Sequence, residues 1–430
     1  MSNADYTRYL NPAKVPRFTR EQLKMSFDAF PPFLNQLLGV WGPLSREPMR
    51  GISSGGQVLP GLYGFRSENA PVQAAAEAAT RWIDALDADA RAKTCFPLDS
   101  NFWRQWQNTP LVLRDPQTHL IDLPLPLREL GLEVVKSSLS PEGYRRTREV
   151  MANNLFLGQL VQLTDVLNEW MFTLAIFGTP STDAPWGWQF FGHHLALNCL
   201  FIGDQMVLSP VFMGVEPDHE IGPDQRRLFK PHEDQALALM RSLSDTERKR
   251  AVLYESMLTA DQPPGRFHPD DGRQVGGAFQ DNRVVPYEGL PVEALGAVQK
   301  RHVLDLVAVF VETMPDGAAG ARMQEIEKYL SQAHFVWIGK ANEIDPFYFR
   351  IHSPVALIEF DHHSGIFLAN EDPARFHVHS IVRSPNGGDY GFDLLQQHYA
   401  QGGHARSEHA HGHGHGTHSH DGGQTFHSHD

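Results

Sequence analysis

Between residues 334 and 383 the chain reads HFVWIGK, FYFRIHS, VALIEF and RFHVHSIVR, four short aromatic and β-branched segments broken by Asn342, Asp345-Pro346, Ser353-Pro354 and Glu371-Asp372-Pro373. Strand-forming runs at short, regular spacing with turn residues between them predict an antiparallel sheet. A second block, WGWQFFGHHLALNCLFIGDQMVLSPVFMGV over 186–215, adds two apolar segments that meet at Gly203-Asp204, a hairpin turn. The expected fold class is α+β: a largely antiparallel sheet in the second half, packed by amphipathic helices.

Helical periodicity dominates ahead of these blocks. Residues 70–95 place Trp82, Ile83 and Leu86 on one stripe, and 141–177 opens with Ser140 as a cap and Pro141 in the first turn. The second stretch reads as one long helix, or two, ending before Gly178-Thr179-Pro180. Further helices are expected around 234–259, 292–314 and 321–333. The resulting division is an N-terminal extension with loops over 1–69, one α+β domain over 70–401, and a tail over 402–430.

That tail is the most biased part of the chain. Of 23 histidines in 430 residues, nine (His404, His409, His411, His413, His415, His418, His420, His427 and His429) fall in it, among Gly and Ser and almost no aliphatic side chain. With nothing to bury, such a segment is expected to be disordered without a ligand.

Charge and cysteine content exclude several classes. A net charge of −14 argues against a nucleic-acid partner, which needs a basic surface. No apolar run approaches the ~20 residues of a membrane span, and the first residues lack the pattern of a signal peptide. A soluble cytoplasmic protein with no membrane partner is the expectation. Cys95 and Cys199 cannot build a disulfide framework or a thiolate-rich metal site. No phosphate-binding GxxxxGK[ST] loop or HExxH helix occurs.

Histidine pairs carry the remaining chemistry. In a strand, His377 and His379 of HVH point to one side and can chelate one ion, with Ile381 and Arg383 continuing that side, so Arg383 could hold a substrate anion. A pair of hydrogen-bonded strand histidines is the plain alternative. His193-His194 lies in the first block, where adjacent strand residues face opposite ways; His194, aligned with Ala196 and Asn198, is the better metal ligand and His193 a supporting or alternative one. Glu359, Asp361 and Glu216 are nearby carboxylates. Glu359, between Ile358 and Phe360, needs a partner, and Arg350 in FYFRIHS is the natural one. Glu359 or Glu288 is the candidate base, whereas Asp361-His362-His363 reads as a solvated loop. The segment from Phe279 to Gly289 and the triplet Asp389-Tyr390-Gly391 read as loops, either folding over a site or simply bonding local backbone.

The ordered motifs WGWQFFGHHLALN, SPVFMGVEP, DNRVVPYEGL, YFRIHSPVALIEF, FHVHSIVRSP and NGGDYGFDLLQQHY resemble the family catalogued as domain of unknown function thirty-five hundred, from about Phe102 to Tyr399. The resemblance implies no activity. It does place Gly192, His193, His194, Asn282, Tyr287, Glu288, Glu359, His377, His379, Arg383, Asp389 and Tyr390 in a shared pattern, outside the tail. Two readings follow. One is a metal-dependent enzyme acting on a small molecule, hydrolase or oxidoreductase, with Zn, Fe or Cu held by His194, His377 and His379 and supported by His193. The other is a metal-ion binding or trafficking protein that works through its tail.

Overall fold

In this computed structural model the described residues are 3–402, apart from 12, 14, 16, 112, 114–117, 221–225 and 269–270. The expected disordered tail over 402–430 therefore lies, beyond Gly402, outside the described residues. Among the described residues eleven strands form one sheet: β1 (Cys95–Phe96), β2 (Phe172–Phe177), β3 (Trp186–Gly192), β4 (Leu195–Ile202), β5 (Gln205–Val215), β6 (Val252–Tyr254), β7 (Leu290–Pro291), β8 (His334–Gly339), β9 (Phe347–His352), β10 (Leu357–His362) and β11 (Val378–Arg383). Their order is β1-β2-β3-β4-β5-β11-β10-β9-β8-β6, with β7 on the side of β8. The sheet is mixed. Its β1–β2 and β6–β8 pairings are parallel and the pairings between are antiparallel.

The β5–β11 pairing joins the two sequence blocks. It sets His379 opposite Gly214 and Ile381 opposite Phe212, so the start of β11 lies beside the strand that runs back to the His193-His194 turn. Both faces of the sheet are covered, which explains why strands such as β2, β10 and most of β4 are buried at every position instead of alternating. On one face Trp188, Phe190, Met213, Phe349 and Phe360 pack with the helices Val72–Ala85, Leu125–Ser138, Lys230–Ser242 and Ala297–Val311. On the other, Phe191, Ala196, Phe212 and Ile381 meet Trp41, Trp103, Trp106 and Phe279. The residues before 69 thus help to cover the second face.

Several element boundaries differ from expectation. The long helix is Pro141–Leu160, with Ser140 accepting from the Gly143 amide, and Gln162 then takes a positive φ of 55°. Phe172–Phe177 is a buried strand, because FTLAIF is β-branched and aromatic and follows the turn around Thr164-Asp165. Residues 70–95 break into Val72–Ala85 and Ala88–Ala92, the second capped by the Asp87 side chain. The region 234–259 splits likewise into Lys230–Ser242 and Asp245–Ala251, where Ser244 and Glu247 form a capping box, before β6 begins.

Candidate metal centre

His193 and His194 are not strand residues. They form the two-residue turn between β3 and β4, and His194 takes a left-handed φ of 62°. The alternation of faces argued from the sequence therefore does not operate here. The His194 amide donates to the Asn108 carbonyl (3.1 Å), and its own carbonyl accepts from the Gly214 amide (2.8 Å), which holds the turn over β5. His377 precedes β11 by one residue; its amide bonds the Ala374 carbonyl and its carbonyl accepts from the His363 amide.

These anchors bring three imidazoles together. The Nε2 atoms lie 3.1 Å apart for His377 and His379, 3.2 Å for His379 and His194, and 3.4 Å for His377 and His194. All three residues are buried, at 4, 0 and 2 % exposure for His194, His377 and His379, and the group could hold a metal ion. Burial, then the neighbouring imidazoles, hold all three rings well below the ordinary imidazole range, so they are neutral near pH 7. Because the Ser364 carbonyl can only accept, His377 Nδ1 carries the proton (2.7 Å) and Nε2 presents its lone pair to the centre. Lone pairs aimed at one point repel unless a cation or a proton sits between them.

Around this triad the packing is close. His193 stacks on His194 at 3.9 Å between ring centroids and bonds Asn154 Oδ1 through Nδ1 (2.9 Å), so it supports the His194 ring from behind and is not one of the three converging nitrogens. His363 lies 4.6 Å from the His379 ring and 5.0 Å from that of His377. Glu216 Oε1 is 3.8 Å from His377 Nδ1, and the carboxylate accepts from the amides of Ile366, Phe367 and Leu368. The reading of Asp361-His362-His363 as a solvated loop is overturned: β10 runs through His362, and all three side chains are fully buried.

The other sequence candidates lie away from the three nitrogens. Arg383 is four residues beyond His379, and its Nη1 pairs with Asp281 (2.8 Å) and Asp389 (2.9 Å) while Nε and Nη2 donate to the carbonyls of Gly276 and Gly277. So committed, it has little capacity left for a substrate anion. Asp281 also accepts from Arg104 and Tyr390, so the segment after Phe279 and the Asp389-Tyr390-Gly391 triplet meet in one buried ionic hub. Glu359 does not pair with Arg350, although the two face each other in register; it accepts from the Val275 and Gly276 amides and from Tyr348 Oη (2.6 Å). Arg350 bonds Glu288 instead (2.6 Å), which Arg266 also reaches (3.3 Å).

The family model described as "Protein of unknown function (DUF3500)" matches residues 68–392. The chain belongs to this family. The match contains the whole triad and the ionic hub and stops short of the histidine-rich tail. No curated protein and no solved structure matches the chain. Among the described residues of this DUF3500 member, no helix is long and apolar enough to cross a membrane.

Proposed function

We propose that the protein is a metal-dependent enzyme whose centre is a divalent transition metal ion held by the Nε2 atoms of His194, His377 and His379. The observation that carries this reading is the spacing of the three nitrogens, 3.1–3.4 Å. A tetrahedral ion with metal–nitrogen bonds of about 2.0–2.1 Å separates its ligands by about 3.3–3.4 Å, close to this spacing. Three neutral imidazoles suit Zn, Fe or Cu, and leave a coordination position for water or substrate. A structural site is more often closed by a fourth protein ligand. Bound there, the ion would supply Lewis acidity for hydrolysis or, if redox-active, electrons for oxidoreduction.

The chain's own residues have distinct parts in this reading. His377 is fixed in the ligating tautomer by the Ser364 carbonyl, with Glu216 close behind it. Asp361 faces His379 across the β10–β11 pair, and its Oδ1 has no hydrogen-bond partner. It replaces Glu359 and Glu288 as the carboxylate suited to take a proton from a group at the open position.

Metal analysis of the full chain tests the proposal. One ion should survive exhaustive washing with a weak chelator, even when the nine tail histidines are replaced by Asn. It should be lost from the His377→Ala and His379→Ala variants. An ion content that follows the tail histidines and ignores His377 would favour metal handling by the tail instead.

A further inference from the structure

Beside the triad, on the same face of the sheet, three arginines converge with little to bind. Arg350 projects from β9 and is 1 % exposed, as is Arg273; Arg266 is nearly buried. Arg266 and Arg350 meet at one oxygen of Glu288, so their guanidinium groups are neighbours. Arg273 follows Asp271 and Gly272 in a turn, where its amide donates to Asp361 Oδ2 (2.9 Å) and its Nη2 to the Met257 carbonyl. What remains is unusual: Nε and Nη1 of Arg350, Nε and Nη1 of Arg273, and Nε and Nη2 of Arg266 are buried without a hydrogen-bond partner. An unpaired buried guanidinium N–H is expensive, and natural proteins keep few of them.

The local carboxylates do not answer this demand. Glu359 is taken up by two backbone amides and Tyr348 Oη, and Glu288 is partly exposed and accepts one bond from each of two arginines. Asp361 approaches Arg273 Nη1 only to 3.7 Å, beyond hydrogen-bond range. Three planar forks with free donors match the oxygens of a carboxylate or phosphate group.

The neighbourhood is continuous with the metal centre. Gly272 has a φ of 59°, and a Cβ there would collide with Asp361 and come within 2.8 Å of the His363 ring, so the turn that carries Arg273 lies directly on His363. His363 in turn touches His377 and His379. Asp361 is the pair partner of His379 on one side and of Tyr348 on the other. Two strand spacings of about 4.8 Å therefore put β9 roughly 10 Å from the triad.

We infer that Arg266, Arg273 and Arg350 form a subsite for an oxyanion, carboxylate or phosphate, on a small molecule whose other end reaches the tri-histidine centre. The first half stands on the arginines alone, and the second rests on the metal-enzyme reading. Arg383, the cation expected from the sequence to hold a substrate anion, is neutralised by Asp281 and Asp389, and these three arginines take the role expected of it.

The test is a thermal-shift and calorimetric titration of the full chain with inorganic phosphate and with succinate, against chloride at equal ionic strength. One of the two should raise the melting temperature saturably, and which one does so assigns the oxyanion. Arg273→Gln and Arg350→Gln should each weaken that binding at least tenfold. Arg266→Gln, at a less buried position and so safer for folding, should weaken it similarly while circular dichroism stays unchanged. Binding that persists in a folded Arg266→Gln variant, or no stabilisation of the wild type by either anion, overturns the subsite. The His377→Ala variant separates the two readings: oxyanion binding retained there without metal supports the subsite alone, whereas a wild type that holds the metal and binds no oxyanion overturns the subsite and leaves only the centre. If both bind, a shift of the ion's electronic spectrum or paramagnetic signal on adding the anion to Co-loaded protein should accompany the union of the two sites; no shift with any two-ended carboxylate or phosphate tested, from succinate to phosphorylated four-carbon acids, rejects the shared substrate.

Discussion

Gly214 lies opposite His379 across the β5–β11 pair, and the space where its side chain would be is occupied by the triad. A Cβ at Gly214 would come within 2.8 Å of the Val378 carbonyl, 3.0 Å of His379 Cδ2 and 3.4 Å of His194 Cδ2. Two of the three candidate ligands thus rest on a glycine of a different strand. Gly214→Ala should displace both rings, costing about 1–3 kcal/mol in stability and about 10–100-fold in metal affinity, the range seen when support of a ligand is lost. Competitive metal titration and denaturant melts of the same preparation check both figures.

Asn154 offers a gentler perturbation of the same group. Its Oδ1 bonds His193 Nδ1, and its Nδ2 donates to the Asn168 carbonyl (2.8 Å). Asn154→Ala leaves a buried imidazole nitrogen without its partner, and the Asn168 carbonyl with the Met171 amide alone, at about 1–3 kcal/mol. Because His193 stacks behind His194 and lies outside the triad, metal stoichiometry should stay at one ion with a reduced affinity. Loss of the ion altogether would make His193 a ligand in its own right.

Acid should destabilise the metal-free protein. Burial lowers the imidazoles of His193 and His352 to about 3 and His362 to about 4, and holds His194, His232, His377 and His379 well below their usual range. Folded-state values below the unfolded value of about 6.5 mean that the unfolded chain binds more protons, so stability is full above pH 6.5 and falls as the pH drops toward 4. Burial also raises Glu216 and Asp218 to about 7 and Asp361 to about 6, which acts the opposite way between pH 4 and 7. Among the described residues His219 and His334 are lowered too and Glu68, Asp389 and Asp393 raised, so nine histidines stand against six carboxylates; the lowered Glu233 and Asp281 act with the histidines, and the net trend is loss. Denaturant midpoints at pH 7.5 and 5 should show it, with net proton uptake on unfolding; a midpoint that rises toward pH 5 would reverse the assignment.

The histidines of the triad were legible because HVH and GHH lie next to strands whose aromatic character is plain. Their convergence was not legible: it depends on β5 pairing with β11 across more than 160 residues of chain, and on a left-handed His194 that no propensity announces. The helix expected to run to Phe177 failed because FTLAIF fits either period when both faces of a strand are buried. Glu359 was expected to need a partner in its apolar strand, with Arg350 as the natural one, but the two do not bond each other. Each found a different one, since Val275, Gly276 and Glu288 come from the loop laid over the sheet, whose course local sequence does not encode. Arg266 and Arg273 carried no signal for the same reason.

Arg383 provides the contrast with the ligand histidines. Its guanidinium joins Asp281 and Asp389 with all three side chains fully buried, and Asp281 is shared with Arg104 and Tyr390. Removing the cation leaves two buried carboxylates, each without one of its three hydrogen-bond partners and without the charge between them. Breaking a buried pair in this way costs about 3–5 kcal/mol. Arg383→Gln should therefore lower the melting temperature steeply, and Arg383→Lys should rescue it only in part, because one ammonium cannot span two carboxylates and two carbonyls in a plane. Metal binding should behave differently. At a temperature where Arg383→Gln is still folded it should keep one tightly held ion, since Ile381 and the backbone of β11 separate the hub from His379. His377→Ala should lose the ion and, without metal, melt close to the metal-free wild type. Calorimetry of the two variants with and without chelator distinguishes these cases: an Arg383→Gln protein that is stable but metal-free would move Arg383 from the scaffold into the site.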